Sequence, residues 1–313
     1  MSDTIYNPSE NGGVIQFSET ENLLDIRNDN VFKAVFTKDT PKAKAALSGL
    51  VSDLIQRKVT IETITANEPP IETIGSKRIR FDISCRADKG EQINIEMSFN
   101  PERDELPRLE YYNARLHAGQ GLSRNYKDLK ETYEIAIIGK KTFFDDNSMI
   151  HLFFNYDPVN NVSLGGKTKI ITVELEKTSQ IINTPVEKME SYEIWSIFFQ
   201  YLTNPEKRHI INQILRFKTE IAMAGETLIT ISRDEIERAR LESEYKYEMD
   251  RQSALYNAME KGMEMGIEKG IEKGIIIGDA KGEQRMRQYV IDLLDQGLTQ
   301  EEIRQRITNM QTP

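Results

Sequence analysis

The chain has 313 residues, 38% of them hydrophobic and 29% charged, and carries a net charge of −9 at neutral pH. That length admits two domains or one domain with an appendage, and recurring apolar and β-branched runs exclude disorder throughout. The acidic balance excludes a protein that coats nucleic acid through bulk positive charge, so any such contact is local or bridged by metal.

No run approaches the roughly 20 apolar residues that span a bilayer. The polar, acidic start has no apolar region of the signal-peptide kind, and Cys85, the one cysteine, permits no intrachain disulfide. A reducing cytoplasm without membrane attachment is the expected setting.

Residues 1–20, rich in Asn, Ser, Glu and Gly, read as a flexible leader. Asn28 or Asp29 can cap a helix starting near Val31, with Val31, Phe32, Val35 and Phe36 as its apolar stripe. Pro41 interrupts the pattern, and a second stripe follows through Leu47, Leu50, Val51, Leu54 and Ile55. A strand is predicted over 58–65, where Val59, Ile61 and Ile64 sit among threonines and Pro69-Pro70 closes the run.

The clearest unit is a hairpin. Residues 79–86 alternate, with Phe81, Ile83 and Cys85 on one face and Arg80, Asp82, Ser84 and Arg86 on the other. Residues 92–99 alternate as well, with Ile93, Ile95 and Met97 opposed to Asn94, Glu96 and Ser98. Between them lies Asp88-Lys89-Gly90, a three-residue loop whose glycine suits the left-handed last position. A loop symmetric about Lys89 sets Asp82 across from Glu96, Ser84 from Asn94 and Arg80 from Ser98.

Opposed side chains stand about 5 Å apart, and like charges there are destabilising. The Asp82–Glu96 pair therefore calls for compensation by Mg2+ or Mn2+, by a shared proton or by a neighbouring arginine. A solvated strand face bearing harmless charges is the plainer alternative.

A helix is predicted over 104–122, interrupted early by Pro107, then strands over 133–138, 150–156 and 169–174. Helices follow over 186–202 and 205–223, with Trp195, Phe198 and Phe199 as core. Gly165-Gly166-Lys167-Thr168 matches only the end of a phosphate-binding loop. Asn161 stands where that motif needs glycine, and a strand follows instead of a helix, so a turn is expected. His117, His151 and His209 have no zinc-ligand spacing.

From Ser232 the character changes. Ser232-x-x-Glu235 reads as a capping box opening a polar helix. Gly262, Gly266, Gly270, Gly274, Gly278 and Gly282 then recur every fourth residue, before a Gly297 break and a last helix capped by Thr299 with Glu302. Each helical glycine costs about 1 kcal/mol against alanine, so the stripe calls for a close partner or marks a frayed connector.

Asn28-Asp29-x-Val31-Phe32-Lys33-x-Val35-Phe36, Lys77-x-x-Arg80-Phe81-Asp82-Ile83 and Asn94-Ile95-Glu96-Met97, in that order, resemble the recombination-promoting nuclease family. Its members are also called transposases of the PD-(D/E)XK superfamily. Arg108 with Tyr111-Tyr112, Glu174-Leu175-x-Lys177 and Trp195-x-x-Phe198 extend the likeness over about residues 24–225. The tail is typical of longer members.

The resemblance implies an α/β, restriction-endonuclease-like core, a mixed sheet flanked by helices, with a C-terminal helical tail. It implies metal-dependent cleavage of DNA, linked to recombination, transposition or mobile elements. Asp82 and Glu96 match the two strand carboxylates that ligate Mg2+ or Mn2+, and Asp29 matches a third contact from the first helix, although Asp before a helical run also serves as a cap.

One position departs. Two residues after the glutamate, where the superfamily has lysine and this family usually glutamine, stands Ser98, which carries no charge. Arg80, opposite it, and Lys77 nearby are candidate cations for the scissile phosphate. Equally, the copy is a weakened nuclease fold acting as a DNA-binding or protein-interaction module. The organisation expected is a leader (1–20), a nuclease-like domain (21–225) and a helical tail (226–313). A homodimer paired through the tail would suit cleavage of both strands.

Overall fold

The computed structural model describes residues 15–64, 81–101, 103–120 and 125–310. Helix α1 (Asp29–Thr37) is capped by Asn28, whose side chain accepts from the amides of Asn30 and Val31. Helix α2 (Pro41–Ile55) begins where the sequence suggested an interruption. Pro41 is its first residue, Thr40 caps it, and a proline there forfeits no intrahelical bond.

Strands β1 (Ile61–Ile64), β2 (Ile83–Ala87) and β3 (Gln92–Ser98) form an antiparallel run. Helix α3 (Glu105–Ala118) contains Pro107 in its first turn, where a missing N–H is harmless, so the predicted interruption does not occur. Strand β4 (Thr132–Ile138) then lies parallel to β3. Strand β5 (Ile150–Phe154) precedes a small separate ribbon of β6 (Tyr156–Asp157) and β7 (Val162–Ser163). Gly165 and Gly166, both at positive φ, turn the chain into β8 (Thr168–Glu174).

The main sheet has the order β1-β2-β3-β4-β8-β5, with β3, β4 and β8 parallel and the remainder antiparallel. The expected mixed sheet flanked by helices, with a C-terminal helix, is what the chain forms. One sheet face is apolar. Ile83, Cys85, Ile93, Ile95, Ile135 and Val173 meet α1 and α2, together with α4 (Ser191–Tyr201), α5 (Arg208–Phe217) and α6 (Thr219–Arg233). Trp195, Phe198 and Phe199 lie at its centre, as expected. The opposite face is covered by α3, where Leu109 packs on Ala136 and Ile138, and Tyr112 meets Phe81 edge to face.

Three readings of organisation are corrected. Residues 15–20 are not loose: Ile15 and Phe17 are buried, and the Phe17 backbone exchanges two hydrogen bonds with the Asn212 side chain, at 2.9 and 3.0 Å. The predicted helix over 205–223 is broken at Lys218, which is extended between α5 and α6. The boundary at 225 falls within α6, whose Leu228 and Ile231 belong to the core, as does Leu241 beyond it.

The compact units divide at Tyr245/Lys246. Ser232 is not a helix cap, because its Oγ accepts from Leu24 N–H inside the core. Asp234 takes the capping role, accepting from the amides of Ile236 and Glu237.

Helix α7 (Glu235–Asp295) continues through all six repeat glycines, and a Cβ added at any of them would meet nothing within 4 Å. Gly297, at φ +80°, ends it, and Thr299 with Glu302 opens α8 (Gln300–Met310) as the sequence suggests. No helix among the described residues is long and apolar enough to cross a membrane.

Phe17 packs close to Gly225 and lies beneath Arg208. Phe17→Ala should therefore destabilise the chain by about 3–5 kcal/mol, read from the urea midpoint. An unchanged midpoint would restore the loose-leader reading.

Candidate functional site

The β2–β3 register is the one the loop symmetry demands: Ile83 pairs with Ile95, Ser84 with Asn94 and Cys85 with Ile93. Gly90 takes φ +84° at the end of the turn. Asp82 stands one step beyond the last paired residue, where β2 has bent out of the ladder. There the two carboxylates interleave with each other's strand. Met97 N–H donates to Asp82 Oδ2 at 3.0 Å, and Asp82 N–H donates to Glu96 Oε1 at 3.1 Å. Asp82 is 8% exposed and Glu96 4%, so the solvated-face alternative does not hold.

Two helices bring cations to the pair. Lys33, from α1, places Nζ 2.8 Å from Asp82 Oδ1 and 3.7 Å from Asp29 Oδ2. Arg108, from α3, is held by buried Glu105 at 2.7 Å and lies over the Tyr112 ring. Its charge favours ionised Glu96.

Beneath the pair lies a third carboxyl. Asn94 Nδ2 donates to Glu96 Oε1 at 2.9 Å and to Glu134 Oε1, on the neighbouring strand, at 2.7 Å. Glu134 is fully buried, and its Oε2 and Asn94 Oδ1 have no hydrogen-bond partner among the described residues.

Burial pushes all three carboxyls above the ordinary carboxylate range. It is the largest cause for each, and the Asp82 charge adds to it for Glu96, which reaches about 8. Lys33 and the Met97 amide pull Asp82 the other way without cancelling burial.

The donor chemistry suits a hard divalent ion. Asp82 and Glu96 present carboxyl oxygens on one buried face, and a divalent ion there would displace the proton that burial favours on them. Mg2+ is commonly held by one or two carboxylates together with waters and substrate phosphate, which two side chains satisfy. Among the described residues no three acidic, histidine or cysteine side chains converge as a complete ligand set. Asp29, the candidate third contact, turns to Lys33 and to the Asn30 amide.

Ser98 lies two residues past Glu96, half-buried, at the end of β3, where its carbonyl accepts from Gly139 N–H. Arg80 and Lys77, the candidate cations for its role, lie outside the described residues. Lys33, Asn94 and Glu134 were missed as site residues. Lys33 has a sequence signal, four residues after Asp29 on one helix face. Glu134, an acidic residue inside an otherwise apolar strand, is itself a signal.

The more distant motif residues do structural work. Glu174 is fully buried against Lys177 at 2.6 Å, and Lys177 also donates to Ser148 O at 2.8 Å, tying the 139–149 loop down. Trp195 Nε1 donates to Asp53 Oδ2, which also pairs with Lys218.

Residues 26–258 match a family model described as PD-(D/E)XK nuclease family transposase. No curated protein and no solved structure matches the chain.

Without metal, folded Glu96 keeps its proton to about pH 8, against an ordinary value of 4.5. The folded chain thus binds the extra proton between those values. This contribution to stability is full below 4.5 and is lost as pH rises through about 8, with Asp82 and Glu134 acting in the same direction. The melting temperature of metal-free protein should fall from pH 5 to pH 8, and Glu96→Gln should flatten that slope. An unaltered slope in the variant would refute the assignment.

Proposed function

The chain belongs to the PD-(D/E)XK nuclease family transposases, and from that membership we propose that it is a divalent-metal-dependent endonuclease that hydrolyses phosphodiester bonds in DNA. The family supports a nuclease- or transposase-related function and DNA as partner, and its nucleases generally use divalent metals. A role in recombination, transposition or mobile-element biology, in a cytoplasmic setting, goes with this reading.

The observation that carries the proposal is the buried, interleaved Asp82–Glu96 pair. Those two side chains would hold Mg2+ or Mn2+. A bound divalent ion lowers the pKa of water and polarises phosphoryl oxygen. Asn94 fixes Glu96 Oε1, and the Met97 amide fixes Asp82 Oδ2, so neither carboxylate has to be ordered at the moment of reaction.

Local positive charge also supports a nucleic-acid substrate in a chain of net charge −9. Just past Ser98, Arg27 and Lys140 both lie over the Phe99 ring, at 4.4 and 4.6 Å. They offer phosphate contacts beside the carboxylates.

Ser98 favours the rival reading, a degenerate nuclease fold that binds DNA or protein without cutting. Incubation of the purified chain with supercoiled plasmid and Mg2+ or Mn2+ decides between them. Nicked and linear products that fall at least a hundredfold with Asp82→Ala and Glu96→Ala are expected. DNA binding with no product under either metal would favour the rival.

We further propose a homodimer paired through the tail helix, on the support of its open glycine stripe. A Cβ at Gly270 or Gly274 meets nothing within 4 Å, so Gly270→Leu and Gly274→Leu start from open space, yet they block close approach of a second helix. Light scattering should find the parent dimeric and the double variant monomeric. A variant that remains dimeric at micromolar concentration would leave the tail a connector.

A further inference from the structure

The buried carboxylate pair has a cation that comes from neither of its own strands. Lys33 extends from α1, a helix pinned to the apolar sheet face by Val31, Phe32, Val35 and Phe36. Its ammonium lies 2.8 Å from Asp82 Oδ1, and its side chain is 14% exposed. Asp29, one turn earlier, flanks it at 3.7 Å.

Among the described residues, two nearby guanidinium groups are committed elsewhere. Arg108 is bonded to Glu105, and Arg27 is gripped by Asp25 at 2.8 and 2.9 Å while stacked on Phe99. Ser98, on the same strand face as Glu96, carries no charge. Lys33 is the described ammonium that sits directly on the carboxylate pair, while Lys140 lies farther out, over Phe99 just past Ser98. Its stem is flexible, and an ammonium can exchange a carboxylate for a phosphate oxygen without the planar fit a guanidinium requires.

We propose that Lys33 is a catalytic-site cation that contacts the DNA phosphate brought to the metal that Asp82 and Glu96 would hold, supplying from helix α1 the charge that Ser98 leaves missing from strand β3. This rests on the nuclease reading of the same site. Asp29 and Asp82 then hold the ammonium ready between them. Charge develops on the phosphate during cleavage, and a cation already at the site stabilises it after a short shift of its flexible stem.

A mere counterion for Asp82 is the competing role, and Asp82→Asn separates the two. That change removes the buried carboxylate, so a second change of Lys33→Met deprives only Asp29, 46% exposed, of an ion-pair partner. Binding of a duplex oligonucleotide is measured by fluorescence anisotropy across a salt series, for Asp82→Asn and for Asp82→Asn/Lys33→Met. A phosphate contact predicts roughly tenfold weaker binding in the double variant and a log–log salt slope shallower by about 0.9. Identical affinity and slope would overturn the proposal.

In the otherwise unaltered full chain, Lys33→Met should lower kcat for plasmid cleavage at least a hundredfold, with Lys33→Arg restoring part of it. Calorimetry should find Mn2+ binding by Lys33→Met undiminished. Cleavage within threefold of the parent would overturn the proposal. A parent that cuts nothing would defeat the endonuclease reading and leave Lys33 to be judged on the binding series alone.

Discussion

Two carboxylates that take hydrogen bonds from each other's strand set the terms for the rest of this molecule. Met97 N–H on Asp82 and Asp82 N–H on Glu96 pull β2 out of its ladder at Ile83 and hold both acids where water is scarce. Burying such groups costs several kcal/mol each unless charge or protons compensate. The neighbouring elements answer that cost. Helix α1 sends Lys33, α3 sends Arg108, and Asn94 spends both amide hydrogens on Glu96 and Glu134.

The two sheet faces divide the work. Parallel strands buried on both sides usually carry apolar residues throughout. Here β3, β4 and β8 do so on the side that meets five helices, while the α3 side buries Asn94, Glu96, Glu134, Thr172 and Glu174. The apolar core forms on the first face, and these buried polar side chains lie on the second. Among the described residues, helix α3 over the polar face leaves the end of β3, at Ser98 and Phe99, half-buried and bordered by Lys140 and Arg27.

Local signals were readable from the chain. The Asp88-Lys89-Gly90 turn fixed the pairing of Ser84 with Asn94, and so the adjacency of Asp82 and Glu96, because a symmetric loop leaves one register. Asn28 and Thr299 announced their helices for the same reason: a cap acts within three residues. Features created by distant segments were not readable. Ser232 looks like a cap until Leu24, 208 positions away, claims its hydroxyl. Phe17 sits in a polar stretch, and only Asn212 and Gly225 give it a place in the core. Lys33 reads as no more than the helical partner of Asp29 until the docking of α1 against β2 and β3 brings it to Asp82.

Cys85 lies in the middle of β2, fully buried, with burial pushing its thiol up to about 12. A thiol in that state neither alkylates nor oxidises while the sheet is intact. Since the chain has no other cysteine, modification by a thiol reagent reports opening of the core around β2, whether the strand leaves the sheet or the helices packed on it lift away. The strand that leads out of Asp82 thus carries its own clock. The labelling rate measures how often the core beneath that strand opens.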